Sequence, residues 1–87
     1  IKLMDDLISI IIPTYNRSKL IERSLKSIED QTIKNYEIII VDNYSTDNTS
    51  SVIKSFSHLP IKYFVVDNNN NIARSRNFGI KNTKGNL

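Results

Sequence analysis

The sequence contains no cysteine, which excludes disulfides and thiolate-held metal and suits a reducing compartment. Its one histidine, His58, sits in a helix-breaking stretch before Pro60 with no metal-ligand spacing around it. Only two glycines are present and no G-x-G-x-x-G follows the first apolar run, so the fingerprint of a dinucleotide-dependent oxidoreductase is missing. No apolar run approaches the roughly 20 residues a membrane helix needs, and no signal-peptide pattern opens the chain. The expectation is a soluble, cytoplasmic chain, with peripheral contact between a parent enzyme and a membrane left open. Charge is not concentrated either. Twelve Lys and Arg against nine Asp and Glu leave a net +3, scattered from Lys2 to Lys84. Without a basic cluster interleaved with aromatics, nucleic acid is not an expected partner, although a mildly positive domain attracts an anion such as a nucleotide diphosphate. With 87 residues the chain forms one domain at most. It begins at Ile1 and not Met, so residues 1–87 read as a single truncated domain with Ile1 to Asp6 as a lead-in.

What is present starts with Leu7 to Arg17, LISIIIPTYNR. The β-branched run predicts a strand buried on both faces, as in a parallel sheet. Pro13 fixes φ and lacks an N–H, so the chain leaves the sheet there and presents Thr14, Tyr15 and Asn16 on a loop at the strand's carboxyl end. In open α/β sheets ligands bind at that edge.

Arg17 to Asp30 places Ile21, Leu25 and Ile28 on one helical stripe, with Asn16 or Ser18 as the cap. Tyr36 to Asp42, YEIIIVD, is a second buried strand, and Asn43 to Asn48 is a turn and helix cap. A helix over about Thr49 to Ser57 buries Val52, Ile53 and Phe56. Ile61 to Val66 alternates in part, which predicts a strand near the sheet's edge. Asp67 to Asn71 is a loop with positive-φ positions, followed by a helix over Ile72 to Asn82 with Gly85 after its end. Three strand-helix units in sequence predict an α/β fold, a parallel sheet flanked by helices.

Two charged residues stand out. Asp42 follows four apolar strand residues, so it lies at the carboxyl edge, where it serves either as a solvated or capping residue or as an acceptor for a base N–H or ribose O–H. Ile72, Ala73 and Ile80 define the expected inward stripe of the last helix, and Arg76 occupies a slot on it where an aliphatic side chain is expected. A guanidinium there needs a carboxylate, phosphate or base edge, and an internal ion pair with Asp42 is one solution. Tyr15 can stack on a base or cover a helix end. Thr14 and Asn16 offer short polar groups. Gly79 inside a helix hints at close backbone approach. A receiver domain is excluded, because acidic residues would follow the first strand where Pro13, Thr14 and Tyr15 stand.

The motifs IIPTYNR, VDNYSTDNT and SRNFGIKNTKGNL, in this order and spacing, resemble the amino-terminal half of family-2 glycosyltransferases with the GT-A fold, over Leu7 to Leu87. The resemblance implies the Rossmann-like nucleotide-binding half of a partial GT-A domain. It further implies transfer of a sugar from a nucleotide-sugar donor, UDP-linked, to an acceptor hydroxyl in cell-surface polysaccharide synthesis. By the same resemblance Pro13, Thr14, Tyr15 and Asn16 embrace the nucleoside, Asp42 hydrogen-bonds the base, and Arg76 lies at the nucleotide. A divalent metal, Mg or Mn, is implied for the full-length enzyme, held by an Asp-x-Asp motif that this chain does not reach. No catalytic residue and no metal ligand is expected within residues 1–87, so the chain alone is expected to be inactive. The family often has Asp-Asp-Gly where Asp42, Asn43 and Tyr44 stand, and Gly in place of Asn48, where Asn still tolerates a left-handed turn. The truncated sheet edge predicts self-association. The alternative from another class is a non-catalytic α/β module for nucleotide sensing or protein association.

Overall fold

The structure, a computed structural model, describes residues 7–32, 35–67, 69 and 71–84. The expected lead-in at Ile1 to Asp6 and the expected role of Gly85 lie outside the described residues. Strands and helices alternate: β1 (Ile8–Thr14), α1 (Ser18–Glu29), β2 (Tyr36–Asp42), α2 (Thr49–Lys54), β3 (Ile61–Val65) and α3 (Ile72–Lys81). The three strands form one parallel sheet in the order β1-β2-β3, with Ile10 beside Ile38, Thr14 beside Asp42, and Ile40 beside Tyr63.

The central strand explains the layering. Side chains alternate across a strand. Ile38 and Ile40 of β2 pack with Ile21 and Leu25 of α1, Ile53 of α2, and Phe56 just beyond it. This is the main core, and burying each such side chain contributes about 1.5–3 kcal/mol. The other face is covered by α3, where Phe78 meets Phe64 of β3 edge-on with ring centroids 5.1 Å apart. Two helices therefore lie on one face and α3 on the other.

Several expectations change. β2 is buried from Glu37 to Asp42, but β1, equally rich in Ile, is mostly half-buried and lies at one edge of this sheet, with β3 at the other. α2 ends at Lys54, and Phe56 is buried from the turns that follow. Neither Asn16 nor Ser18 caps α1, whose N-cap is Arg17. The Ser18 N–H instead donates to Asp47 Oδ2 at 3.2 Å. The left-handed residue of the β2–α2 loop is Tyr44, at φ 56°, and Asn48 has φ −86°. The positive φ expected in the Asn-rich loop falls on Asn69.

The largest correction concerns α3. Its inward residues are Ser75 and Gly79, while Ile72 and Ile80 are 62% and 40% exposed and Arg76 is exposed between them. The reason is close approach: a Cβ at Gly79 would lie 2.5 Å from Ile11 Cγ2, so the helix settles on β1 through its smallest residues. The close packing read from Gly79 is present, and it turns the Ile72–Arg76–Ile80 stripe away from the core.

Candidate functional site

The strand does not stop at Pro13 as expected: Pro13 pairs with Val41 and Thr14 still pairs with Asp42, because β1 is at an edge of this sheet and the missing proline N–H costs no ladder bond, so the loop begins at Tyr15. The end of β1 and the chain that follows form one wall of a cavity of about 400 Å³ at the carboxyl edge of the sheet. Its lining is Pro13 and Thr14 from the end of β1, Tyr15 and Arg17 from the β1–α1 loop, Asn43 just past β2, and Ile72 and Arg76 from α3. Arg76 also borders a smaller hollow along β1 with Ser9, Ile11 and Ile80. No carboxylate lines the larger cavity, and neither Arg17 nor Arg76 is in an ion pair among the described residues. Two arginines bordering one hollow that no carboxylate lines make it electropositive, a setting for phosphate or carboxylate. Tyr15 is 50% exposed beside them.

Asp42 is on the same rim but not in the cavity. Its side chain lies on the face covered by α1 and α2, opposite to the α3 face that carries Arg76, and it is 1% exposed. Its Oδ1 accepts the Ser45 N–H at 3.0 Å and the Ser45 hydroxyl at 2.5 Å, and its Oδ2 accepts the Tyr63 hydroxyl at 2.6 Å. The ion pair between Asp42 and Arg76 is not formed. Burial, then the hydrogen bond to Asp42 and the charges of Asp42 and Asp47, push the Tyr63 phenol well above the ordinary tyrosine range, so it remains a donor.

Asn16, at φ 49°, ties the two rim loops together. Its backbone N–H donates to Ser45 Oγ at 2.8 Å, and its Oδ1 accepts the Thr46 N–H at 2.6 Å and the Asp47 N–H at 3.3 Å. Asp47 in turn accepts from Ser18 and from the Thr49 N–H and hydroxyl. The Thr49 hydroxyl, with the backbone N–H groups of Thr49 and Ser18, holds the Asp47 carboxyl below the usual carboxylate range against an opposing desolvation.

Of the six residues singled out in the sequence, Pro13, Thr14, Tyr15 and Arg76 meet around the cavity, while Asn16 and Asp42 stand behind its wall. Sequence reasoning missed Arg17, Asn43, Ser45, Ile72 and Tyr63. Two signals were available: Ser45 lies three residues after Asp42, where its N–H can reach the carboxylate, and Tyr63 falls on the same face of the sheet as Ile40 and Asp42 once the register is known. Among the described residues no group of three or more Asp, Glu, His or Cys could hold a metal, and no helix is long and apolar enough to cross a membrane.

The model of glycosyl transferase family 2 matches residues 9–87. The chain belongs to that family. Its fold is that of the GT-A glycosyltransferases. Glycosyltransferase GlyA of Streptococcus pneumoniae serotype 4 is 36% identical over 85 residues, 97% of this chain and 12% of the relative. The UDP-Glc:alpha-D-GlcNAc-diphosphoundecaprenol beta-1,3-glucosyltransferase WfgD of Escherichia coli is 37% identical over 83 residues, covering 94% of this chain and 33% of the relative. The mannosyltransferase PcManGT of Pyrobaculum calidifontis, solved in complex with GDP-Man and Mn2+, superposes with a TM-score of 0.81 at 27% identity, over 90% of this chain and 24% of that one. The family 2 chain thus spans a third or less of the length of each of these relatives.

Proposed function

We propose that this family 2 chain carries the donor-nucleotide-binding part of a glycosyltransferase that moves a sugar from a UDP-linked donor to an acceptor hydroxyl. The observation that carries the reading is the cavity itself, where an exposed tyrosine and two guanidiniums without carboxylate partners border one hollow at the ligand edge of a parallel sheet. In this reading the Tyr15 ring stacks on the base, Pro13 and Thr14 close one side, and Arg76 with Arg17 faces the diphosphate. Asn16 and Asp42 hold the loop that presents Tyr15. The names of the relatives support a nucleotide-sugar donor, since PcManGT was solved with GDP-Man, and the UDP-Glc in the name of WfgD supports the UDP-linked choice. WfgD's undecaprenol-linked acceptor supports a place in cell-surface polysaccharide assembly.

PcManGT also holds Mn2+, and a divalent metal is proposed for the full-length enzyme. The described residues of this chain do not fit that ion: the cavity has no carboxylate, and the nearby Asp42 is already engaged by Ser45 and Tyr63. No step is therefore assigned to a metal here.

Calorimetric titration of the 87-residue chain with UDP, UDP-glucose and GDP tests the reading. UDP is expected to bind with Kd near 1 mM, roughly −4 kcal/mol, and Arg76→Ala to weaken it about tenfold. Because Arg76 is exposed, that variant should unfold within about 0.5 kcal/mol of the parent. Absence of heat with all three nucleotides, or binding indifferent to Arg76→Ala, would overturn it.

A further inference from the structure

We infer that Tyr63 is a positioning residue for the cavity, acting through Asp42, Ser45 and Asn16 on the loop that carries Tyr15. The inference rests on the reading of the cavity as a nucleotide site. Tyr63 lies on β3, on the far side of β2 from β1, and lines no part of the hollow. Its influence must therefore travel through other groups.

The route is continuous. Tyr63 donates to Asp42 Oδ2, Ser45 donates its hydroxyl and its N–H to Asp42 Oδ1, and Asn16 donates its backbone N–H to Ser45 Oγ. The polarity is fixed by proton count. A carboxylate accepts only, so the single hydroxyl proton of Ser45 points to Asp42 and its lone pairs face Asn16. From Asn16 the tie returns across the gap, because its side-chain oxygen accepts the N–H groups of Thr46 and Asp47. Both rim loops are thus locked to one buried carboxylate, and Tyr15 is the residue immediately before the locked Asn16.

Asp42 has no cation partner among the described residues, and at 1% exposure water cannot replace a lost donor. The neutral donors are what satisfy it. Removing the Tyr63 hydroxyl leaves a buried carboxylate short of one donor, and the group it can draw on is Ser45. Any shift of Ser45 moves the Asn16 N–H that bonds to it. Asn16 sits in the left-handed region, which Asn tolerates better than other side-chain-bearing residues but which needs its hydrogen bonds to persist.

The test uses the full 87-residue chain, with ¹⁵N amide spectra and UDP titrations of the parent, Tyr63→Phe, Ser45→Ala and Ser45→Thr. Tyr63→Phe should displace the amide signals of Asn16, Thr46 and Asp47 and weaken UDP about 5- to 20-fold. Ser45→Ala should do the same, and Ser45→Thr, which keeps the hydroxyl, should recover affinity to within about twofold. A tyrosine that merely packs would lower the unfolding midpoint and leave those three amides and the threonine rescue unaffected. Tyr63→Phe keeps the ring and removes only the hydroxyl, and amide signals unchanged outside the two rim loops will show that it is folded. Parent-like affinity in Tyr63→Phe and Ser45→Ala, with UDP binding intact in the parent, overturns this inference alone. A parent that binds no nucleotide overturns the reading of the cavity as well.

Discussion

The two ends of β2 each carry a buried carboxylate, and they are handled in opposite ways. Glu37, at the amino end and 6% exposed, accepts from the Ser9 hydroxyl at 2.5 Å and the Lys84 N–H at 2.6 Å and has Lys62 Nζ at 3.4 Å. Asp42, at the carboxyl end, is held by Ser45 and Tyr63 with no cation. The faces differ too: Glu37 alternates with Ile39 onto the α3 side, and Asp42 with Ile40 onto the α1 and α2 side. At the amino end the sheet neutralises its own charge and pins the segment after α3. At the carboxyl end it keeps the anion behind the wall on neutral donors and leaves Arg17 and Arg76 facing the cavity, so that end can receive an anion from outside.

Breaking the amino end should have the largest effect on the fold. Glu37→Ala removes the acceptor for Ser9 and Lys84 and orphans Lys62, whose side chain is 37% exposed and can rehydrate. A loss of about 2–4 kcal/mol in urea unfolding is expected, with UDP affinity per folded molecule unchanged. A comparable loss of UDP affinity would mean that the two ends are not separable.

Next is the contact that sets α3 between them. Gly79→Ala places a methyl 2.5 Å from Ile11 Cγ2 and should cost about 1–3 kcal/mol while lifting the helix that carries Arg76. Stability equal to the parent would show that α3 is not seated by this contact.

The smallest effect belongs to the carboxyl-end loop in acid. Asp47 is held below its ordinary value when folded, so its contribution is present above the unfolded-state pKa and fades as pH falls through the lower folded one. Asp47→Asn should therefore shallow the decline in stability below about pH 4, a change read from thermal midpoints across an acid series. Tyr63 has the reverse sign. Its folded pKa is raised, so its contribution is complete below the unfolded value and is lost as pH rises above about 10.

The comparison also shows what can be read before any coordinates. β2 and the Ile21–Leu25–Ile28 stripe of α1 follow from patterns that period and β-branching make distinct, and the partial alternation of Ile61 to Val66 correctly puts β3 at an edge. β1 is half-buried where its Ile-rich run predicts burial on both faces, and it lies at the exposed sheet edge that a truncated domain is expected to leave. α3 defeats such patterns more completely: apolarity marks Ile72 and Ile80, while the contact with Ile11 is made through small residues that carry no hydrophobic signal. For the site, Pro13 places the start of the loop too early, since Thr14 still pairs with Asp42 and the loop begins at Tyr15, while the position of Asp42 announces the rim. The parity of residue 42 against residue 39 or 43 also gives the face of the sheet, but only once the position of α3 is known. Tyr63 is 21 residues from Asp42, and only strand register brings the two together.

The most direct measurement is a map of UDP onto the ¹⁵N amide spectrum of the whole chain. Shifts should gather at Thr14, Tyr15, Asn16, Asn43 and the first turns of α3, and Ser9, Glu37 and Lys84 should stay fixed. Shifts centred on the Glu37 end, or none at saturating nucleotide, would contradict the assignment of the carboxyl end as the receiving site.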